Sequence, residues 1–207
     1  MMRTECPVLY LAVPCYHEEE ALPITAVKLH EKLTQLMEQG SIAPESRIVF
    51  IDDGSKDGTW RVISELHEEN PIFRGIKLTR NCGHQRALLA GLMTIREECD
   101  AVISLDADLQ DDINAIDEMV AQYRDGCEIV YGVRKDRTTD TAFKRGTAQG
   151  YYKMMRAMGV EMVYNHADYR LMSRRALEEL SGYEEVNVFL RGMVPMLGFR
   201  TGEVYYS

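Results

Sequence analysis

Apolar and polar positions change rhythm twice along this chain. Five short runs, VLYLAV (8–13), RIVFI (47–51), GIKLT (75–79), AVISL (101–105) and EIVYGV (128–133), are rich in β-branched residues and mostly apolar throughout. That pattern predicts strands covered on both faces. Between the first two, Leu22, Ala26, Leu29, Leu33 and Leu36 recur at steps of four and three, predicting a helix that Gly40 closes. Trp60, Ile63 and Leu66 predict a second helix, and Ala87, Leu88 and Gly91 a third. Ile113, Ile116, Met119, Val120 and Tyr123 predict a fourth, which Gly126 ends. Strands alternating with helices in this order predict an α/β fold with a mostly parallel, doubly wound sheet and flanking helices.

Beyond residue 134 the alternation stops. A polar loop (134–140) leads to a predicted helix near 141–158 and then to an irregular stretch, GVEMVYNHADYRLMS. A helix capped by Ser173, an apolar helix near 187–197 and a final strand in FRTGEVYYS follow. Without repeats or a low-complexity linker, residues 1–207 read as one domain. Residues 1–133 form one half and 134–207 a second half packed on the same sheet.

The chain has 207 residues and a net charge of −9, which disfavours nucleic acid and other polyanions as general partners. The charge is uneven: residues 134–175 carry ten basic side chains against four acidic ones, so an anionic ligand is expected toward that stretch. Five cysteines without a Cys-x-x-Cys pair suggest neither a disulfide framework nor a zinc site, which fits a reducing compartment. No run approaches the roughly 18 apolar residues of a membrane span, so the chain is expected to be soluble.

Chemistry gathers where strands end, as ligands do in open α/β sheets. The run 47–51 leads into Asp52-Asp53-Gly54-Ser55, a stretch that turn chemistry alone explains equally well. The run 101–105 leads into Asp106-Ala107-Asp108-Leu109-Gln110. Alternate residues of an extended chain share a side, so Asp106 and Asp108 are expected to project together. Two converging carboxylates repel unless a cation lies between them, which points to Mg²⁺ or Mn²⁺ on Asp106, Asp108 and Gln110. Asp111 and Asp112 read as acids of the next helix's first turn. His84 and Gln85 open a helix at the same edge, Arg134 follows the fifth strand, and Asp168 and Arg170 lie in the irregular stretch. A P-loop, a dinucleotide fingerprint and a serine nucleophile elbow are all missing from the sequence.

Six segments occur in an order that resembles the inverting nucleotide-sugar glycosyltransferases of the GT-A fold. They are VPCYHEEE, IDDGSKDGT, TRNCGHQRALLAG, LDADLQD, GVR and ADYRLMSRRAL. The likeness is closest to the branch of dolichyl-phosphate mannose synthase and bacterial polyprenyl-phosphate (bactoprenol) glucosyltransferases. It implies a GT-A, Rossmann-like sheet and transfer of a hexose from a nucleotide sugar, UDP-linked in preference to GDP-mannose, to a polyprenyl phosphate. It also implies a nucleoside pocket lined by Pro14, Tyr16, Glu18, Asp52, Asp53, Asp106 and Ala107, and a metal on Asp106, Asp108 and Gln110. Arg134 would lie near the phosphates, Asp168 and Arg170 near sugar and acceptor, and Arg191 on the acceptor side. His17 stands where the branch commonly has Asn, and Asp112 where it often has Pro.

The branch continues past this point into membrane helices, so the expectation is a trimmed catalytic domain of a protein at the cytoplasmic face of the membrane, with a homo-oligomer left open. Alternatives with another basis are a glycosyltransferase with a soluble acceptor, a module that only binds nucleotide sugar, a Mg²⁺-dependent phosphohydrolase with Asp106 as nucleophile, and a receiver-like signalling domain.

Overall fold

The structure is a computed structural model that describes residues 6–135, 166–183 and 190–206. Strand β1 (Leu9–Cys15) is buried along its whole length and sits centrally, as its unbroken apolar sequence requires. It pairs in parallel with β2 (Arg47–Asp52) on one side and β4 (Ala101–Ser104) on the other. Strand β3 (Phe73–Lys77) pairs in parallel with β2 at the edge. It starts two residues before the predicted run because Ile48 already bonds to the Ile72 carbonyl.

Helices α1 (Leu22–Glu38), α2 (Thr59–Glu69), α3 (His84–Ile95) and α4 (Ala115–Arg124) connect these strands and β5 (Ile129–Arg134). Alternation along β1 divides the core. Leu9, Leu11, Val13 and Cys15 pack with Leu29, Leu33, Val62 and Ile116 of α1, α2 and α4 on one face. Tyr10 and Ala12 face Leu88 and Leu92 of α3 on the other.

The second half corrects one expectation. The irregular stretch contains β6 (His166–Ser173), which inserts antiparallel between β4 and β5. The sheet order is β3-β2-β1-β4-β6-β5-β7, with β7 (Thr201–Tyr206) parallel to β5 at the far edge. Sequence periodicity hides β6 because two of its core positions are the charged pair Asp168 and Arg170, both buried. After it, Ser173 accepts a hydrogen bond from the Ala176 amide at 3.1 Å and caps α5 (Arg174–Ser181), as predicted. The apolar helix is present as α6 (Leu190–Met196). The predicted loop and helix at 134–158 lie almost wholly outside the described residues.

Strand direction positions the site. Strands β1, β2 and β4 run parallel, so their carboxyl ends share one edge. Being antiparallel, β6 brings its first residues to that same edge, and Ser104 at the end of β4 pairs with Arg170. Among the described residues, no helix is long and apolar enough to cross a membrane.

Candidate active site

At that edge a cleft of about 430 Å³ opens. Pro14, Tyr16 and Glu18 wall it after β1, Asp106, Ala107 and Asp108 after β4, and Asp168 and Arg191 from the second half. Asn81, Gly83 and His84, from the turn that opens α3, complete it.

The loop after β4 keeps the alternation expected from sequence. Asp106, Asp108 and Gln110 are partly or fully exposed, while Ala107 and Asp111 are buried and Leu109 is intermediate. It is nevertheless a turn: Leu109 has φ 50°, a left-handed conformation that strains a branched side chain and persists only where surroundings impose it. Those surroundings are specific. Thr25 of α1 donates to the Ala107 carbonyl at 2.6 Å, Arg134 donates to the Gln110 carbonyl at 2.9 Å, and the Tyr169 hydroxyl donates to the Asp112 carbonyl at 3.0 Å.

Here the helix-start reading of two acids is corrected. Asn114 is the N-cap of α4, and Asp117 and Glu118 are its first-turn acids. Asp112 instead accepts from the Asn114 amide at 2.9 Å. Asp111 turns inward, accepting from Arg134 at 2.9 Å and from the Tyr206 hydroxyl at 2.5 Å. Arg134 therefore holds the loop from beneath and is not among the residues that line the cleft.

The loop after β2 is built on the same plan. Asp52 is fully buried and absent from the cleft wall; its Oδ1 accepts from the Ser55 amide at 3.0 Å and shapes the turn. A nucleoside has no exposed surface of Asp52 to meet. Asp53 borders the cleft at 3% exposure, with its two oxygens accepting from the Cys82 and Gly83 amides at 2.7 and 2.9 Å. Directly after Asp53, Gly54 has φ +66°, and a Cβ there would stand 2.4 Å from the Arg80 backbone. Only glycine lets the two loops approach so closely. Next to the cleft, and sharing Tyr16 and Asn81 with it, is a second hollow of about 700 Å³ bordered by Lys56, Lys77 and Arg80.

Among the described residues Asp168 is the most heavily used carboxylate of the cleft. Arg170 of the same strand pairs with one oxygen, and Gln85 donates to the other at 2.6 Å. Arg191 reaches both oxygens at 3.4 Å. His84 Nε2 lies 3.6 Å from Asp168 and equally 3.6 Å from Asp106, distances of charge contact rather than hydrogen bonding. Burial alone would raise the Asp168 pKa, but His84, Arg170 and Arg191 outweigh it and hold the carboxyl well below its usual range. Arg170 is fully buried, so among the described residues it acts on the site through Asp168 and through the Leu190 carbonyl, to which it donates at 3.3 Å. The opposite shift marks the cleft floor. Burial, then Asp111, Asp168 and Asp108, raise the Asp106 pKa against the lowering effect of His84, and burial with Asp108 and Asp57 raises that of Glu18. These carboxylates share a field that favours a cation.

The donor set suits a hard divalent ion: Asp106 and Asp108 offer oxygen to an open cleft, and Gln110 exposes an amide beside them. Among the described residues no group of three or more His, Cys, Asp or Glu side chains could hold a metal.

Of the residues singled out in the sequence, the cleft unites Pro14, Tyr16, Glu18, Asp53, His84, Asp106, Ala107, Asp108, Asp168 and Arg191. It leaves out Asp52, Gln85, Gln110, Arg134 and Arg170. Thr25, Tyr169 and Tyr206, which hold the site's loops, carry no local signal, because their partners lie 82, 57 and 95 residues away.

Comparison with known proteins agrees with the fold. The uncharacterized glycosyltransferase YkoT of Bacillus subtilis is 52% identical over 206 residues, covering 100% of this chain and 61% of that protein. The bactoprenol glucosyl transferase of Shigella phage SfX is 38% identical over 199 residues, covering 95% of this chain and 62% of its own. The chain thus spans about three fifths of the length of these relatives. Among solved structures, a mannosyltransferase from Pyrobaculum calidifontis in complex with GDP-Man and Mn²⁺ superposes with a TM-score of 0.62 at 20% identity, covering 98% of this chain and 57% of that one. Glucosyl-3-phosphoglycerate synthase from Mycobacterium tuberculosis, in complex with Mn²⁺, UDP-glucose and phosphoglyceric acid, gives 0.58 at 14% identity, with 96% and 70% covered. The seven-stranded, mostly parallel sheet is that of the GT-A fold. The Glycosyl transferase family 2 model matches residues 10–181, and with relatives this similar the chain belongs to that family.

Proposed function

We propose that this chain catalyses transfer of a hexose from a nucleoside diphosphate sugar, UDP-linked in preference to GDP-linked, to a polyprenyl phosphate, with inversion and with a divalent metal. One observation carries the reading: in a family 2 chain with bactoprenol glucosyl transferase relatives, Asp106 and Asp108 face the same cleft as Tyr16, Glu18 and Arg191.

In this reading Asp106 and Asp108, with Gln110, hold Mg²⁺ or Mn²⁺, which when bound supplies Lewis-acid stabilisation of the departing diphosphate. Pro14, Tyr16, Glu18 and Asp53 surround the nucleoside, and the basic hollow with Lys56 and Arg80 lies within reach of it. Arg191, 44% exposed at the cleft rim, offers its guanidinium to the acceptor phosphate. An acceptor oxygen attacks the anomeric carbon from the face opposite the leaving group, a new C–O bond forms, and the nucleoside diphosphate leaves with the bonding electrons. A phosphate monoester has its second pKa near ~6, so the nucleophile is mostly ionised at neutral pH and needs no strong base. That suits Asp168, whose oxygens already accept from Arg170, Gln85 and Arg191 and whose low pKa makes it a poor base. Its proposed work is to organise the acceptor side of the cleft. Arg134 and Arg170 act one layer further back, as supports. A lipid acceptor puts the reaction at the cytoplasmic membrane surface.

The test is transfer of labelled hexose to undecaprenyl phosphate in detergent micelles with Mn²⁺ or Mg²⁺, comparing UDP-glucose, UDP-N-acetylglucosamine and GDP-mannose. Labelled lipid from a UDP-sugar with inverted anomeric configuration is expected. Turnover with GDP-mannose alone would overturn the donor assignment, and transfer only to a soluble acceptor would overturn the lipid.

A further inference from the structure

Ligand and anchor residues alternate in the loop after β4. Asp106, Asp108 and Gln110 are exposed at least in part, while Ala107, Leu109 and Asp111 turn toward the body of the protein. Each inward position has a fastening: the Thr25 hydroxyl on the Ala107 carbonyl, the core packing of Leu109, and a charged cluster on Asp111. The last is the strongest of the three. Asp111 is 7% exposed, and its Oδ1 receives both the Arg134 guanidinium at 2.9 Å and the Tyr206 hydroxyl at 2.5 Å. Hydrogen bonds to a buried carboxylate from a cation and a hydroxyl are among the more stabilising a protein makes. The Arg134 guanidinium also lies 6.0 Å over the Tyr206 ring, and that ring meets Tyr169 edge-on at 5.4 Å. Tyr169 in turn holds the carbonyl of Asp112. The ends of β5 and β7 and the middle of β6 are thereby tied to one short loop, immediately behind the side chains that face the cleft.

We propose that Asp111, fixed by Tyr206 and Arg134, is the positioning residue of the metal-binding loop, so that β7, at the opposite side of the sheet from β3, sets the geometry of Asp106, Asp108 and Gln110. The proposal rests on the metal reading given above. Its physical basis is the Leu109 conformation: a loop with a left-handed branched residue relaxes when its fastenings go. The Tyr206 hydroxyl meets the loop at Asp111, and its ring packs edge-on against Tyr169. Removing the hydroxyl alone therefore perturbs the loop while keeping the packing of β7.

The experiment compares wild type, Tyr206→Phe and Asp111→Asn in two readouts. The first is Mn²⁺ affinity in the presence of UDP, measured by electron paramagnetic resonance of free Mn²⁺. The second is hydrogen–deuterium exchange of the 105–113 segment without metal. Loss of one hydrogen bond to a charged partner is expected to weaken Mn²⁺ binding on the order of tenfold in Tyr206→Phe, and more in Asp111→Asn. Exchange in 105–113 is expected to quicken in both, with β1 and β2 unchanged. If wild type takes up Mn²⁺ and Tyr206→Phe matches it in affinity and in loop exchange, the positioning role is wrong and the metal reading stands. If wild type with UDP takes up no Mn²⁺, the metal reading fails and this proposal fails with it.

Discussion

Removing Asp168 should unfold this protein more readily than removing any other cleft residue, because of what it leaves behind. In Asp168→Ala the Arg170 guanidinium, with no exposed surface, keeps a hydrogen bond to the Leu190 carbonyl at 3.3 Å. Its Nε has no partner among the described residues even in the intact pair. Breaking a buried ion pair by deleting one partner costs about 3–5 kcal/mol, since the surviving charge stays desolvated. Gln85 loses its acceptor at the same time, and with it part of the hold on the Leu190 amide at 3.2 Å, where α6 begins. For a chain of this size about 1 kcal/mol corresponds to 2–4 °C in Tm, so the loss should be roughly 6–20 °C. Urea denaturation followed by circular dichroism gives the free energy, and scanning calorimetry the temperature. The control is Asp168→Ala with Arg170→Met. Removing both charges of a buried pair avoids leaving one of them uncompensated, so the double variant should recover about half or more of the loss. A single variant within about 1 kcal/mol of wild type, or a double variant no more stable than the single, would refute the reasoning.

Three further outcomes follow from the same geometry. Thr25→Val removes the donor to the buried Ala107 carbonyl and should cost about 1–3 kcal/mol in urea denaturation while loosening exchange in the loop after β4; no change in either would remove Thr25 from its role. Gly54→Ala meets both a left-handed backbone and the Arg80 backbone, so it should cost at least about 2 kcal/mol, measured by Tm, and an equally stable variant would show that the two loops move apart freely. Asp168 has its folded pKa depressed, so its contribution to stability is complete above the unfolded carboxylate value near ~3.9 and is lost as pH falls below it. Wild type should therefore lose stability below about pH 4 more steeply than Asp168→Asn, and parallel curves would contradict the assignment.

The half of the fold built on parallel strands was legible because nothing in it is disguised. Strands β1, β2 and β4 are apolar at nearly every position, and α1 repeats its leucines at helical spacing. The loop after β4 was legible for the same reason, since period-two geometry alone puts Asp106 and Asp108 on one side. Strand β6 was not, because a buried Asp168–Arg170 pair looks polar in sequence and becomes core only when the pairing is known. The role of Asp111 was misread on the strength of local helix-start chemistry, which its partners Arg134 and Tyr206, 23 and 95 residues away, override. Gln85 illustrates the same limit: what it holds, the amide of Leu190, is 105 residues distant. Local pattern therefore carries the residues that face the ligand better than those that hold them in place.

The central claim is that Asp106 and Asp108 form a divalent metal site completed by a nucleoside diphosphate. Calorimetric titration of UDP into wild type and Asp108→Asn, each with and without Mn²⁺, tests it directly. Wild type should bind UDP much more tightly with Mn²⁺ than without, and Asp108→Asn should lose that gain while unfolding near the wild-type temperature. Equal UDP affinity with and without Mn²⁺ in wild type, or a gain that survives in Asp108→Asn, would contradict the account.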